Sequence, residues 1–223
     1  MQDPAYLTHL KRAGLALVVV GAVDIAAMVY CILRGISYSS SFHIFAVVAG
    51  VFLLKGNLRA ASAVRWFAVF MLAALCATVL AWPFMQPLDL TLTQARLAPG
   101  QAVFTLGLLA FVVALLLWLY RELGTTEVLA ARAAAGRKVR DLRIPAALGL
   151  GLVVIMTATV PLFLEGESGS KAKAIAQQQL GGGYQYHVSS LRVAKTLQGT
   201  FVAGVVTAWN DHEVKTVPVE WRE

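Results

Sequence analysis

Cysteine is nearly absent from this chain: Cys31 and Cys76 are the two in 223 residues, far apart and outside any CxxC pair. Each lies in an apolar stretch, where cysteine serves as a small hydrophobe, so no disulfide framework organises the fold. Charge is scarce as well, at 14% of residues against about 25% in an average soluble domain. The deficit falls almost wholly before residue 165. The four histidines, His9, His43, His187 and His212, are scattered and none has the Cys or carboxylate spacing of a metal site. A haem-bearing bundle needs histidines facing one another from different spans, and His43 is the one placed for it. GxSxG, HExxH and P-loop patterns are missing. Gly181–Gly183 precedes no helix that would make it a phosphate cradle, and Ser39–Ser41 has no base nearby in sequence. No cofactor and no catalytic set is expected, and the chain does not read as an enzyme.

What the chain does contain is long uncharged runs. Ala13–Leu33, Gly35–Leu54, Trp66–Leu88, Leu97–Tyr120 and Ile144–Leu164 hold no Lys, Arg or Glu, and Asp24 is their single Asp. A helix of about 20 residues rises about 30 Å, the hydrocarbon thickness of a bilayer. The expected fold is therefore an all-α polytopic membrane bundle of five transmembrane helices, at about 13–33, 36–54, 66–86, 101–120 and 144–164, within residues 13–164. The second window is the weakest, because its strongly apolar part, Phe42–Leu54, is short enough for a re-entrant segment. A re-entrant loop would send Lys55, Arg59 and Arg65 to the opposite side from the other basic loops, so a full crossing is preferred. Trp66, Trp82, Trp118 and Tyr120 sit near span ends, where aromatic side chains bridge lipid and water.

Charge also orients the chain, since Lys and Arg in short loops stay cytoplasmic. Lys11 and Arg12 precede the first span; Lys55, Arg59 and Arg65 separate the second and third. Arg121, Arg132, Arg137, Lys138, Arg140 and Arg143 occupy the loop 121–143, whereas the alternate loops carry only Arg34 and Arg96. The N-terminus, 1–12, is thus expected in the cytoplasm and residues 165–223 on the far face. Compact loops and Ala/Leu-rich spans suit a bacterial inner membrane, with the tail in the periplasm. A formal net charge of +7 would otherwise point to nucleic acid; here the excess sits on one side of the spans, and no nucleic acid is expected.

The tail reads as a small α+β domain. A helix capped by Ser168 or Ser170 runs to about Leu180, with Ala172, Ile175, Ala176 and Gln179 on one face, until Gly181–Gly183 ends it. Three strand-like runs follow, Tyr184–Val193, Thr200–Trp209 and Val214–Trp221, joined at Gln198-Gly199 and Asn210-Asp211-His212. They form a three-stranded antiparallel meander after one helix, joined to the last span by a polar hinge, Glu165–Ser170. Fewer than 60 residues bury little core. The domain therefore leans on the membrane part, on a second copy, or on another membrane protein.

Three groups of residues are candidates for function. Asp24 is the one acid within a span; a buried carboxylate costs a few kcal/mol there, so it faces other helices or water. His43 is the nearest titratable companion, and topology places it closer to the outer surface. Arg132, Arg137, Lys138, Arg140 and Arg143 surround an apolar stripe of Val128, Ala131, Ala135, Val139 and Leu142, as in a helix lying on an anionic leaflet. Val214, Thr216, Val217, Val219 and Trp221 make an edge strand, with Pro218 suited to an edge, and an unpaired edge accepts another strand. The expected role is that of an accessory or assembly subunit of a membrane complex. The alternative is a small ion, proton or solute transporter or channel that uses Asp24. In its order of elements the tail resembles the outer domain of one class of cytochrome oxidase assembly factors; no motif residue accompanies the likeness, so it carries no residue role over.

Overall fold

A computed structural model describes residues 4–35, 42–136, 141–196 and 199–222. In chain order these form α1 (Ala5–Leu33), α2 (Phe42–Leu54), α3 (Leu58–Met85), α4 (Leu88–Leu97), α5 (Pro99–Glu122), α6 (Thr126–Ala134), α7 (Arg143–Leu164), α8 (Glu167–Leu180), β1 (Gln185–Thr196), β2 (Gly199–Trp209) and β3 (Val214–Arg222). The chain is mostly helical and closes on a three-stranded antiparallel sheet.

Among the described residues four helices, α1, α3, α5 and α7, are long and apolar enough to cross a membrane, consistent with a membrane protein. Of the expected second span, only the strongly apolar part lies within the described residues. Its residues 42–54 form α2, while 36–41 lie outside the described residues. Thirteen helical residues rise about 20 Å, short of the roughly 30 Å a bilayer core requires. Helix ends also depart from the apolar windows: α1 starts at Ala5 and α3 at Leu58. Loss of hydropathy does not stop a helix; a cap does. Asn57 supplies one for α3, its Oδ1 accepting the backbone N–H groups of Arg59 at 2.9 Å and Ala60 at 3.3 Å.

The chain divides into two compact units, Met1–Ala73 with Val112–Gly149, and Ala74–Phe111 with Leu150–Glu223. In the first, α1 and α2 run antiparallel and meet through glycine. A Cβ on Gly14 would lie 2.8 Å from the Gly50 carbonyl oxygen, and one on Gly50 would lie 2.7 Å from the Gly14 carbonyl oxygen. Leu10, Leu17, Leu53, Val64, Leu119, Leu123 and Val128 fill the space beside this crossing as one apolar core, and between spans such packing acts through close van der Waals contact. Phe45 of α2 meets Phe67 of α3 with ring centroids 5.1 Å apart.

In the second unit the sheet order is β1-β2-β3, both pairings antiparallel. One face presents Val188, Leu191, Val206, Ala208, Val217 and Val219 to Ala172 and Ala176 of α8. The parity of β1 changes midway: its register shifts between Val188 and Ser190. That bulge puts both Val188 and Leu191 on the α8 side, which strict alternation would forbid. Opposite Leu191 stands Gly204, where a Cβ would come within 2.7 Å of the leucine and 2.9 Å of the Ser190 carbonyl oxygen. Lys171 of α8 rests 5.6 Å from the Trp221 ring centre. Gly181, at φ 85°, ends α8 in a conformation that favours glycine.

The polar hinge read from Glu165–Ser170 is a tight corner instead. Helix α8 begins at Glu167, directly after α7, and the Gly169 Cα packs against the Leu164 carbonyl so closely that a methyl there would overlap its oxygen. Polarity marked the turn; the missing Cβ makes it compact. A further element, α4, occupies the connection between two of the expected spans. Trp82 Nε1 donates to Thr91 Oγ1 at 3.1 Å and Gln86 Nε2 to Gln94 Oε1 at 3.3 Å, fastening α4 to the end of α3.

Candidate functional site

Asp24 lies about two-thirds of the way along α1, half-buried and engaged with a neighbour. Its height follows from the glycine crossing. Gly50 packs between Gly14 and Val18, so Asp24 stands about 12 Å further along α1 at 1.5 Å per residue. His43, seven residues before Gly50, stands about 10 Å up α2 by the same rise. The two backbones are therefore nearly level, and the expected vertical offset between Asp24 and His43 is not present. The sequence offered no register for the hairpin; two glycines far apart in the chain set it.

At the other end of the first unit, α6 folds onto the bundle. Val128 and Leu123 are buried in the same core as Leu10 of α1. Arg132, expected to face lipid, is only 3% exposed, and its Nη2 donates to Ser62 Oγ at 2.9 Å. A helix with one arginine on its apolar side packs inward when a hydroxyl awaits the guanidinium. Arg143 begins α7, its N–H bonded to Asp141 Oδ1 at 2.9 Å. Arg137, Lys138 and Arg140 lie outside the described residues.

Around α6 is a polar group that sequence reading did not assemble. His9 Nδ1 lies 2.9 Å from Glu122 Oε1, and His9 Nε2 lies 4.0 Å from Glu127 Oε2. The Arg65 guanidinium sits 5.1 Å from the Tyr120 ring centre, over a surface where Gly124 leaves room for it. The Glu127 carboxyl is held below its usual range by a backbone N–H, then by the Thr126 hydroxyl and His9. Separations above 100 residues, as between His9 and Glu122, leave no local sequence signal.

In the tail the edge-strand residues divide. Val217 and Val219 are buried beneath α8 and Trp221 partly so, whereas Thr216 is exposed and Val214 half-buried. What β3 offers a partner is its backbone edge. Pro218 pairs opposite Val205 and has no N–H, so its nitrogen faces away from β2 and the free edge lacks a donor at mid-strand. The β2–β3 turn is fastened by Asn210, whose Oδ1 accepts the N–H groups of His212 and Glu213, each at 2.9 Å. Tyr184 donates its hydroxyl hydrogen to Glu213, and Lys215 Nζ donates to Tyr184 at 2.8 Å and to Glu213 at 2.7 Å. Those contacts hold the Glu213 carboxyl below, and the Lys215 ammonium above, their ordinary values. Burial pushes His187 below the usual imidazole range, Lys173 pushes it further, and Glu165 opposes both.

Among the described residues no three of His, Cys, Asp and Glu come together as a metal-ligand set. Comparison with protein-family models, with curated proteins and with solved structures finds no match to this chain.

Proposed function

We propose that this chain is a non-enzymatic integral membrane protein of a bacterial inner membrane that carries a small α+β docking module on the periplasmic face. In that role it is an accessory or assembly subunit of a larger membrane complex. One observation carries the reading: a packed α8–sheet module, with the outer edges of β1 and β3 unpaired among the described residues, is set by a tight corner on an apolar helix. The antiparallel α1–α2 pair supports the topology, because it returns the chain at Leu54 to the level of Gly14. With α2 counted as a crossing the number is five, and the basic loops all fall on the N-terminal side. The module meets its partner along the backbone edge of β3. Extraction in mild detergent should recover a stoichiometric membrane partner or a defined homo-oligomer. A monodisperse lone chain with a folded tail would overturn the proposal.

A second reading rests on the shared height of Asp24 and His43, which sets two titratable residues on adjacent helices at one depth. In it, Asp24 handles a proton or small cation. The apolar seal made by Leu10, Leu53, Leu119 and Val128 at the α6 end weighs against an open path and favours the first reading. Proton or cation flux into liposomes, compared for the native protein and Asp24→Asn, separates the two. Flux lost in the variant supports transport; equal flux, or none from either, removes Asp24 from it.

A further inference from the structure

Helix α4 and the far face of the sheet border an open groove of about 200 Å³ within the second unit. Its α4 wall is built from Asp89, Leu92, Thr93 and Arg96, spaced so that one helical face supplies all four. Trp209 and Asp211 line the opposite wall.

Both walls are rigidly mounted. On one side Leu90 is buried and the Trp82–Thr91 and Gln86–Gln94 bonds fix α4 to α3. On the other, Trp209 is 5% exposed, and the Asn210 side chain holds the turn that displays Asp211. The charge pattern is mixed: two carboxylates, one guanidinium and an indole. Carboxylates and an indole suit an ammonium group, and a guanidinium suits a phosphate. Next to this polar cleft the surface turns apolar. Leu88, Leu92 and Leu97 of α4 are exposed, and α4 links α3 and α5, two helices long enough to span. A short helix with outward leucines between two spans lies at the lipid–water boundary.

We propose that this groove binds the headgroup of a zwitterionic aminophospholipid, with its ammonium between Asp89 and Asp211 and its phosphate toward Arg96. The acyl chains lie along the exposed leucines of α4. The assignment is independent of the docking role and of which leaflet α4 occupies.

Native mass spectrometry of the full chain in mild detergent tests it, with phosphatidylethanolamine, phosphatidylcholine and phosphatidylglycerol of matched chains added singly. Phosphatidylethanolamine should be retained preferentially, and Asp89→Asn with Asp211→Asn should weaken that retention about fivefold or more. Arg96→Gln should lower retention of all three lipids. Soluble glycerophosphoethanolamine, added in excess, distinguishes the source: failure to displace the lipid supports a membrane-borne occupant, and full displacement overturns it. Equal retention of the three lipids, or retention unchanged in variants whose thermal unfolding matches the native protein, would overturn the site itself.

Discussion

Gly169 and the carbonyl of Leu164 share a space that no side chain can enter, and through them the last long apolar helix turns directly into α8. Replacing Gly169 with Ala forces backbone to move, at an expected cost of about 1–3 kcal/mol. Thermal unfolding of the detergent-extracted protein, followed by tryptophan fluorescence, should show the loss. Native stability in Gly169→Ala would mean that the corner is loose.

The α1–α2 crossing invites the same test with an internal control. Gly14→Ala should destabilise by roughly 1–3 kcal/mol, because its methyl meets the Gly50 carbonyl oxygen and the Leu54 nitrogen. Gly107 and Gly151 also sit in long helices, yet a Cβ on either meets nothing within 4 Å. Alanine there should be neutral or stabilising by up to about 1 kcal/mol. Equal effects at all three positions would refute the close approach.

Ser62→Ala removes one acceptor from the buried Arg132 guanidinium. A hydrogen bond to a charged group is worth roughly 1.5–3 kcal/mol, and a loss of that order is expected in thermal unfolding. Arg121→Gln, at an exposed position, should change stability little. If α6 instead lay on the lipid surface, Ser62→Ala would be silent.

His187 gives the tail a pH dependence with a fixed sign. Its folded value lies below the ordinary 6.5, chiefly through burial, so the unfolded chain takes up a proton that the folded chain resists. The associated stability is complete above about pH 6.5 and is lost as the pH falls below it. Unfolding at about pH 7.5 and about pH 5 brackets this group while staying above the usual carboxylate range. The midpoint should drop on acidification in the native protein and drop less in His187→Gln. An equal drop in both would assign the effect elsewhere.

Pro218 interrupts the free edge of β3. Pro218→Thr restores the missing donor and a continuous ladder, so self-association through the tail should rise, as measured by light scattering after size exclusion. No change in mass distribution would indicate that another surface covers that edge.

The long apolar helices were legible because hydropathy over about 20 residues is a one-dimensional signal. So were α8 and all three strands: the Ala172/Ala176 face, the parity of Val217 and Val219 and the Asn210 turn are local patterns that the fold retains. Helix α4 was missed because Leu88 and Leu97 merged into neighbouring apolar windows. Its start at Pro87, with Asp89 in the first turn and Arg96 in the last, was a usable signal. The inward turn of Arg132 and the level placement of Asp24 and His43 were not legible. Each depends on packing between residues distant in sequence, Ser62 in one case and the Gly14–Gly50 contact in the other.

Sidedness decides most. In a background with Cys31→Ala and Cys76→Ala, single cysteines at Lys55 and at Asp211 can be challenged with a membrane-impermeant maleimide on intact cells and after permeabilisation. Asp211→Cys should label in intact cells, and Lys55→Cys only once the membrane is opened. Labelling of both in intact cells, or of neither, would place the two positions on the same face and contradict an outward docking module carried by an odd number of crossings.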